Sequence, residues 1–130
     1  MIVNGRWPVE IVVHSFGYKH GHPEADVVLD VRFLPNPYWV PELKDGSGCD
    51  PEVALYVLNN EKGQQFLAHL EPFLLFLITE HQHKAREQFT IGIGCTGGRH
   101  RSVAVTEHLR RFLDSSSVTI RSYHRDIDKI

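Results

Sequence analysis

The residues best suited to chemistry in this 130-residue chain fall in one stretch, Cys95-Thr96-Gly97-Gly98-Arg99-His100-Arg101-Ser102. A thiol, two hydroxyls, two guanidiniums and an imidazole crowd around a pair of glycines. The apolar run before it, Ile91-Gly92-Ile93-Gly94, reads as a buried strand, and the residues after His100 read as a helix. Glycines leave backbone amides uncovered, and a helix N-terminus carries a positive partial charge. Such a loop cradles a phosphate or another small anion. Arg101 would clamp the anion through paired hydrogen bonds, with Thr96, Gly97 and Gly98 donating to its other oxygens. The spacing Cys95-x5-Arg101-Ser102 also matches cysteine phosphatases, in which a thiolate attacks phosphorus. Against that reading, Gly94 stands where those enzymes carry a histidine. No Gly-x4-Gly-Lys-Ser/Thr occurs, so nucleotide hydrolysis by a P-loop is not supported.

Charge is distributed in keeping with a small anionic ligand. The chain carries a formal net charge of -2, yet Cys95 to Phe112 holds four arginines against one glutamate. This favours a local anion site over coating of a duplex, although one face could still meet RNA. The two cysteines form no disulfide framework and no CxxC pair. Metal binding has weak support, because His20-x-His22 and His81-x-His83 lack a Cys or carboxylate spaced to complete a zinc site. No apolar run reaches membrane-spanning length and no signal peptide is legible, so the expectation is a cytoplasmic protein without a membrane partner.

The elements that must position these residues follow from pattern. Val9 to Val13 is a β-branched strand running toward Ser15, followed by a loop bearing Lys19 and His20. Ala25 to Phe33 reads as a second strand, with Val27, Leu29, Val31 and Phe33 on one face and Val28, Asp30 and Arg32 on the other. Asp30 and Arg32 are either a mutually satisfied pair on an edge or the polar wall of a pocket. Pro35, Pro37 and Pro41 enforce a stiff loop that fixes Asn36, Tyr38 and Trp39. A helix starts at Asp50-Pro51 and ends near Leu58. A longer one spans 63–81, with Phe66, Leu70, Phe73, Leu74 and Leu77 as its core stripe and Pro72 kinking or splitting it. Phe89 to Gly94 is the third strand, 100–114 the next helix, Ser115-Ser116-Ser117 its stop, and Val118 to Ser122 the fourth strand. The sum is a single α/β domain with a small, mixed four-stranded sheet flanked by helices. Loops beyond strand ends are where ligands bind in such sheets, so the loops at Lys19-His20, Asn36-Tyr38 and Cys95-Ser102 converge if their strands share a direction. His124 and Arg125, past the fourth strand, would form the rim.

Three segments carry a family resemblance. Ser15-Phe16-Gly17-Tyr18-Lys19-His20-Gly21, Asp30-Val31-Arg32-Phe33-Leu34-Pro35-Asn36-Pro37 and Gly94-Cys95-Thr96-Gly97-Gly98-Arg99-His100-Arg101-Ser102-Val103 together resemble the C-terminal domain of the RapZ/YvcJ family. The resemblance implies an α/β domain like the sugar-phosphate-binding part of phosphofructokinases, without catalysis and without a cofactor. It implies sensing of glucosamine-6-phosphate, self-association, a regulatory protein partner, and in some members RNA binding as an RNase adaptor. It suggests Asp30, Tyr38, Thr96, Gly97 and Arg101 as ligand contacts, with Lys19, Asn36, Gly98 and Ser102 alongside. His20, Arg32, Cys95, Arg99 and His100 complete the candidate set. Two departures stand out. Tyr38 replaces a histidine found in an enteric member, and the tail Ile127-Asp128-Lys129-Ile130 lacks the basic run associated there with RNA. Family members carry a Walker-type domain ahead of this one, so the chain is expected to be a stand-alone relative or an excised domain.

Overall fold

The computed structural model describes residues 2, 5, 7–84, 87–114 and 118–129. Four strands, β1 (Val9–Gly17), β2 (Val27–Asp30), β3 (Gln88–Cys95) and β4 (Val118–His124), form one sheet in the order β2-β3-β1-β4. Every pairing is parallel, so the expected mixed sheet is replaced by an all-parallel one. The reason lies in the connections. No two sequential strands are joined by a tight hairpin, and the neighbours β2 and β3 are joined through helices, as a parallel pair requires. All four strands therefore end at one edge, and the loops after them gather there.

The helices are α1 (Pro41–Lys44), α2 (Pro51–Leu58), α3 (Glu61–Gln82) and α4 (Arg101–Leu113). Val9, Ile11 and Val13 of β1 and Ile91 and Ile93 of β3 join a buried cluster with residues of α2, α3 and α4. The opposite side of β1 carries Val12, His14 and Phe16, also buried. There His14 stacks on Tyr123 with ring centroids 5.0 Å apart, and Phe16 meets the edge of Tyr18 at 4.8 Å. A parallel sheet needs both faces covered, and here Tyr18 and Pro23 from the segment after β1 pack on the face that lacks helices.

Three local expectations change. The second strand stops at Asp30 rather than Phe33, because the Arg32 amide and guanidinium turn back onto the Asp30 carboxylate. α3 is one continuous helix through Pro72, capped at Asn60, whose side chain accepts from the Gly63 amide at 2.8 Å. Its buried residues are Gly63, Leu67, Leu70, Leu74, Ile78 and Gln82, whereas Phe73 is half exposed. Two overlapping stripes share the helical period, and the fold buries the one centred on Leu70 and Leu74. Phe66 and Leu77 pack only partly, and Phe73, Leu75 and Phe76 remain outside. Asp50 begins α2 ahead of Pro51, but its carboxylate accepts from the Ser47 amide and makes no cap bond. The triple serine after α4 lies outside the described residues.

The stripe assignment has a direct consequence. Leu74→Ala should cost about 2–5 kcal/mol in urea denaturation, whereas Phe73→Ser should change stability by less than about 1 kcal/mol.

Candidate functional site

At the shared edge of the strands lies a cleft of about 630 Å³, within the range of small-molecule sites. One wall is the loop from Cys95 to Arg101. Its position is set by a close backbone approach. Chain leaving β1 heads past β3 to reach β2, while chain leaving β3 heads past β1 to reach β4, so the two segments must pass over one another. They touch at glycines. A Cβ on Gly17 would lie 2.4 Å from the Gly97 carbonyl carbon, and one on Gly98 would lie 2.5 Å from the Gly17 nitrogen. Gly98 also holds φ at +79°, where side chains are strained. The Lys19 amide then donates to the Thr96 carbonyl at 3.2 Å, which ties the two loops together.

Beneath this contact sits Asp126, fully buried. Its carboxylate accepts from the Gly17 amide at 2.7 Å, from the Arg125 guanidinium at 2.8 Å and from Lys129 Nζ at 2.7 Å. Burial alone would raise its pKa. The hydrogen bonds from Arg125, Gly17 and Lys129 outweigh that and hold the carboxyl far below the ordinary range. The amides of Gly97 and Gly98 have no protein acceptor among the described residues. The Gly97 amide borders the cleft, whereas Gly98 is buried against Gly17 and does not line it.

Arg101 begins α4 with its side chain buried. One terminal nitrogen donates to the Arg32 and Leu34 carbonyls, and the other reaches Thr96 Oγ1 at 3.4 Å. Its Nε is buried without a partner. The guanidinium thus braces the loop after β2 against the loop after β3 while lining the cleft. Arg99 is a clamp of another kind, donating to the carbonyls of Gly46, Asp45 and Ile127 at 2.9, 2.8 and 3.1 Å. His100 is buried with Nε2 2.9 Å from the Lys44 carbonyl, and burial lowers its pKa. Cys95 Sγ lies 3.0 Å from Oγ of Ser102 in the first turn of α4, and both residues are buried.

Of the residues singled out in the sequence, Lys19, Asn36, Tyr38, Cys95, Thr96, Gly97, Arg99, His100 and Arg101 come together on the cleft. His20, Asp30, Arg32, Gly98 and Ser102 do not line it. Asp30 and Arg32 form a bidentate pair at 2.7–3.1 Å, with the Arg32 guanidinium 4.1 Å from the Tyr18 ring centre. The Arg32 hydrogen bonds keep the Asp30 carboxyl below its usual pKa. This is the satisfied-pair alternative. His20 Nε2 is buried without a hydrogen-bond partner, Gly98 packs on Gly17, and Ser102 meets Cys95. The expected rim residues also turn elsewhere. Arg125 binds Asp126 and the Gly21 carbonyl, and His124 faces Ser15 and Glu107.

Four lining residues lay outside the sequence-based set: Trp39, Lys44, Asp45 and Lys129. Trp39 is the most exposed large apolar side chain described, at 76%, and stands edge-on to Tyr38. Lys44 Nζ lies 4.7 Å from the Tyr38 ring centre. Asn36 holds this aromatic turn by accepting from the Tyr38 amide at 3.1 Å. Lys19, Lys44, Arg99, Arg101 and Lys129 are set against one carboxylate, Asp45, so the cleft is electropositive.

With this geometry, the comparison with known proteins is decisive for the family. Residues 9–128 match the family described as the RapZ C-terminal domain. This chain belongs to that family. Relatives include a nucleotide-binding protein of Geobacter metallireducens, 51% identical over 92% of this chain and 42% of the relative. Similar proteins of Geobacter sulfurreducens and Brevibacillus brevis, also named nucleotide-binding proteins, are each 46% identical, over 97% and 94% of this chain. These matches cover 45% and 42% of those relatives. The chain spans less than half the length of the curated relatives it matches.

Two outcomes follow from the glycine contact and its carboxylate. Gly98→Ala should lower stability by at least about 1–3 kcal/mol in chemical denaturation. Asp126→Asn should cost about 2 kcal/mol at neutral pH. A carboxyl with a depressed folded-state pKa contributes fully above about pH 5 and loses that contribution as pH falls below about 4. The gap between wild type and Asp126→Asn should therefore narrow in acid, read from denaturation midpoints against pH.

Proposed function

We propose that this domain is a non-catalytic sensor that binds a phosphorylated amino sugar of the glucosamine-6-phosphate class, or a similar small anion, in the cleft beyond β1 and β3. Membership in the RapZ C-terminal family supports a regulatory domain. The observation that carries the ligand reading is the coincidence of the free Gly97 amide, the amides at the uncapped N-terminus of the 13-residue α4, and a buried Arg101 with an unpartnered Nε. In this reading the phosphate sits on those amides, with Lys19 as its mobile counter-charge. Tyr38 and Trp39 lie against the apolar face of the sugar ring. Asp45, the carboxylate of the cleft wall, takes the ammonium group in place of Asp30, which is committed to Arg32. Ligand occupancy would then report to the rest of a longer protein or to a partner.

The cysteine-phosphatase alternative is less well supported. Arg101 is engaged by the Arg32 and Leu34 carbonyls, and Gly94 stands where those enzymes carry a histidine. An RNA-binding face along the helix from Arg99 to Arg111 is also weakened. Arg99 and Arg101 turn inward, and Arg110 pairs with Glu107.

Calorimetric titration with glucosamine-6-phosphate tests the proposal. Gly97→Ala is an informative variant, because a Cβ there meets only Lys19 Cε at 3.8 Å and φ is ordinary. It should fold normally and bind the sugar phosphate at least about tenfold more weakly, as should Lys19→Ala. Asp45→Asn should narrow the preference for glucosamine-6-phosphate over glucose-6-phosphate. Absence of heat with any hexose phosphate overturns the reading. Turnover of an aryl phosphate that Cys95→Ser abolishes would favour the phosphatase.

A further inference from the structure

A second cluster lies between the sheet and α4, apart from the cleft-lining residues. Cys49 Sγ, Glu107 Oε and a ring nitrogen of His124 all lie within 4.8 Å of one another. Three separate elements deliver them. Cys49 comes from the loop before α2, Glu107 from α4 and His124 from the end of β4. The loop is pinned where it passes α4: the Gly48 amide donates to the Arg99 carbonyl at 2.9 Å, and a Cβ on Gly48 would lie 2.3 Å from the Ala104 nitrogen. Cys49 is thereby held beside α4 while its side chain stays accessible.

We propose that Cys49, Glu107 and His124 form a binding site for a divalent metal ion of the zinc class, with a fourth position open to water or an exogenous ligand. Thiolate, imidazole and carboxylate are the donor types zinc takes, and three protein ligands plus one open position is a recurrent arrangement. The spacing fits. Glu107 Oε2 lies 3.1 Å from His124 Nε2, close to the roughly 3.3 Å separating two ligands at about 2.0 Å in tetrahedral array. The sulfur must move inward by about 1 Å, within reach of one rotamer adjustment of an exposed side chain. Arg110 contacts Glu107 Oε1, which leaves Oε2 for the metal. Ser15 Oγ, buried, lies 2.7 Å from His124 Nδ1. It is the outer-shell partner that orients the ring and presents Nε2.

The proton balance is simple. The metal displaces the thiol proton of Cys49. A neutral His124 keeps its proton but moves it from Nε2 to Nδ1, where it donates to Ser15 Oγ. A cationic His124 releases its Nε2 proton as well.

Cobalt(II) is the probe, added to the 130-residue chain without a histidine tag. One equivalent should bind and give both a thiolate-to-cobalt charge-transfer band and the intense visible bands of a four-coordinate site, and zinc should bleach them. Cys49→Ser should abolish the charge-transfer band while circular dichroism stays native. Glu107→Gln and the positioning variant Ser15→Ala should weaken cobalt binding about tenfold or more. His83→Gln, a control for surface histidines, should leave the spectrum unchanged. The proposal is overturned if no charge-transfer band appears, if the band survives Cys49→Ser, or if it follows His83 instead of Glu107.

Discussion

The site rests on one backbone contact. Gly17, at the end of β1, meets Gly97 and Gly98, just past β3, at a distance no side chain allows. That approach brings the free Gly97 amide and the start of α4 into a fixed relation with Lys19. Asp126 reinforces it from below by accepting the Gly17 amide while pairing with Arg125 and Lys129. A buried carboxylate costs free energy unless its lone pairs are met. Here donors meet them from β1, from the turn after β4 and from the tail. The end of the chain is thereby locked onto the mouth of the cleft.

Arginines in this protein act mainly as braces. Arg99 ties the loop around Asp45 and Gly46 to the tail at Ile127, and Arg101 ties the loop after β2 to the loop after β3. Each guanidinium satisfies carbonyls that a loop-built cleft would otherwise leave unpaired. Charge for a ligand is then left to more accessible groups, Lys19 and Lys44 among them, and to the amides. This division suits a sensor. In the proposed sensor, rigid parts would set the shape and the ammonium groups would respond to occupancy.

Much of this was legible in the sequence. β-branched and apolar runs marked all four strands, Asp50-Pro51 marked the start of α2, and the glycines after Cys95 marked a tight loop between β3 and α4. What the sequence left open was set by tertiary routing. The all-parallel order depends on which strands become neighbours. The α3 core face depended on choosing between Phe73 and Leu74, both on helical stripes. Lys44, Asp45 and Lys129 could not be assigned to the cleft, because they arrive from a short helix, its following loop and the tail. Asp30 and Arg32 had two readings, and their mutual bidentate geometry decided between them. The Cys49, Glu107 and His124 cluster was equally hidden, since those positions show no ligand spacing and meet only across the fold.

The central claim is that an anion sits on the loop between Cys95 and Arg101. A crystal structure of the chain grown with glucosamine-6-phosphate tests it most directly. The account predicts the phosphate group within hydrogen-bond distance of the Gly97 amide and the start of α4, with Lys19 closing on it and the sugar against Tyr38 and Trp39. A phosphate bound elsewhere on the surface, or bonded to Cys95 Sγ, would contradict it.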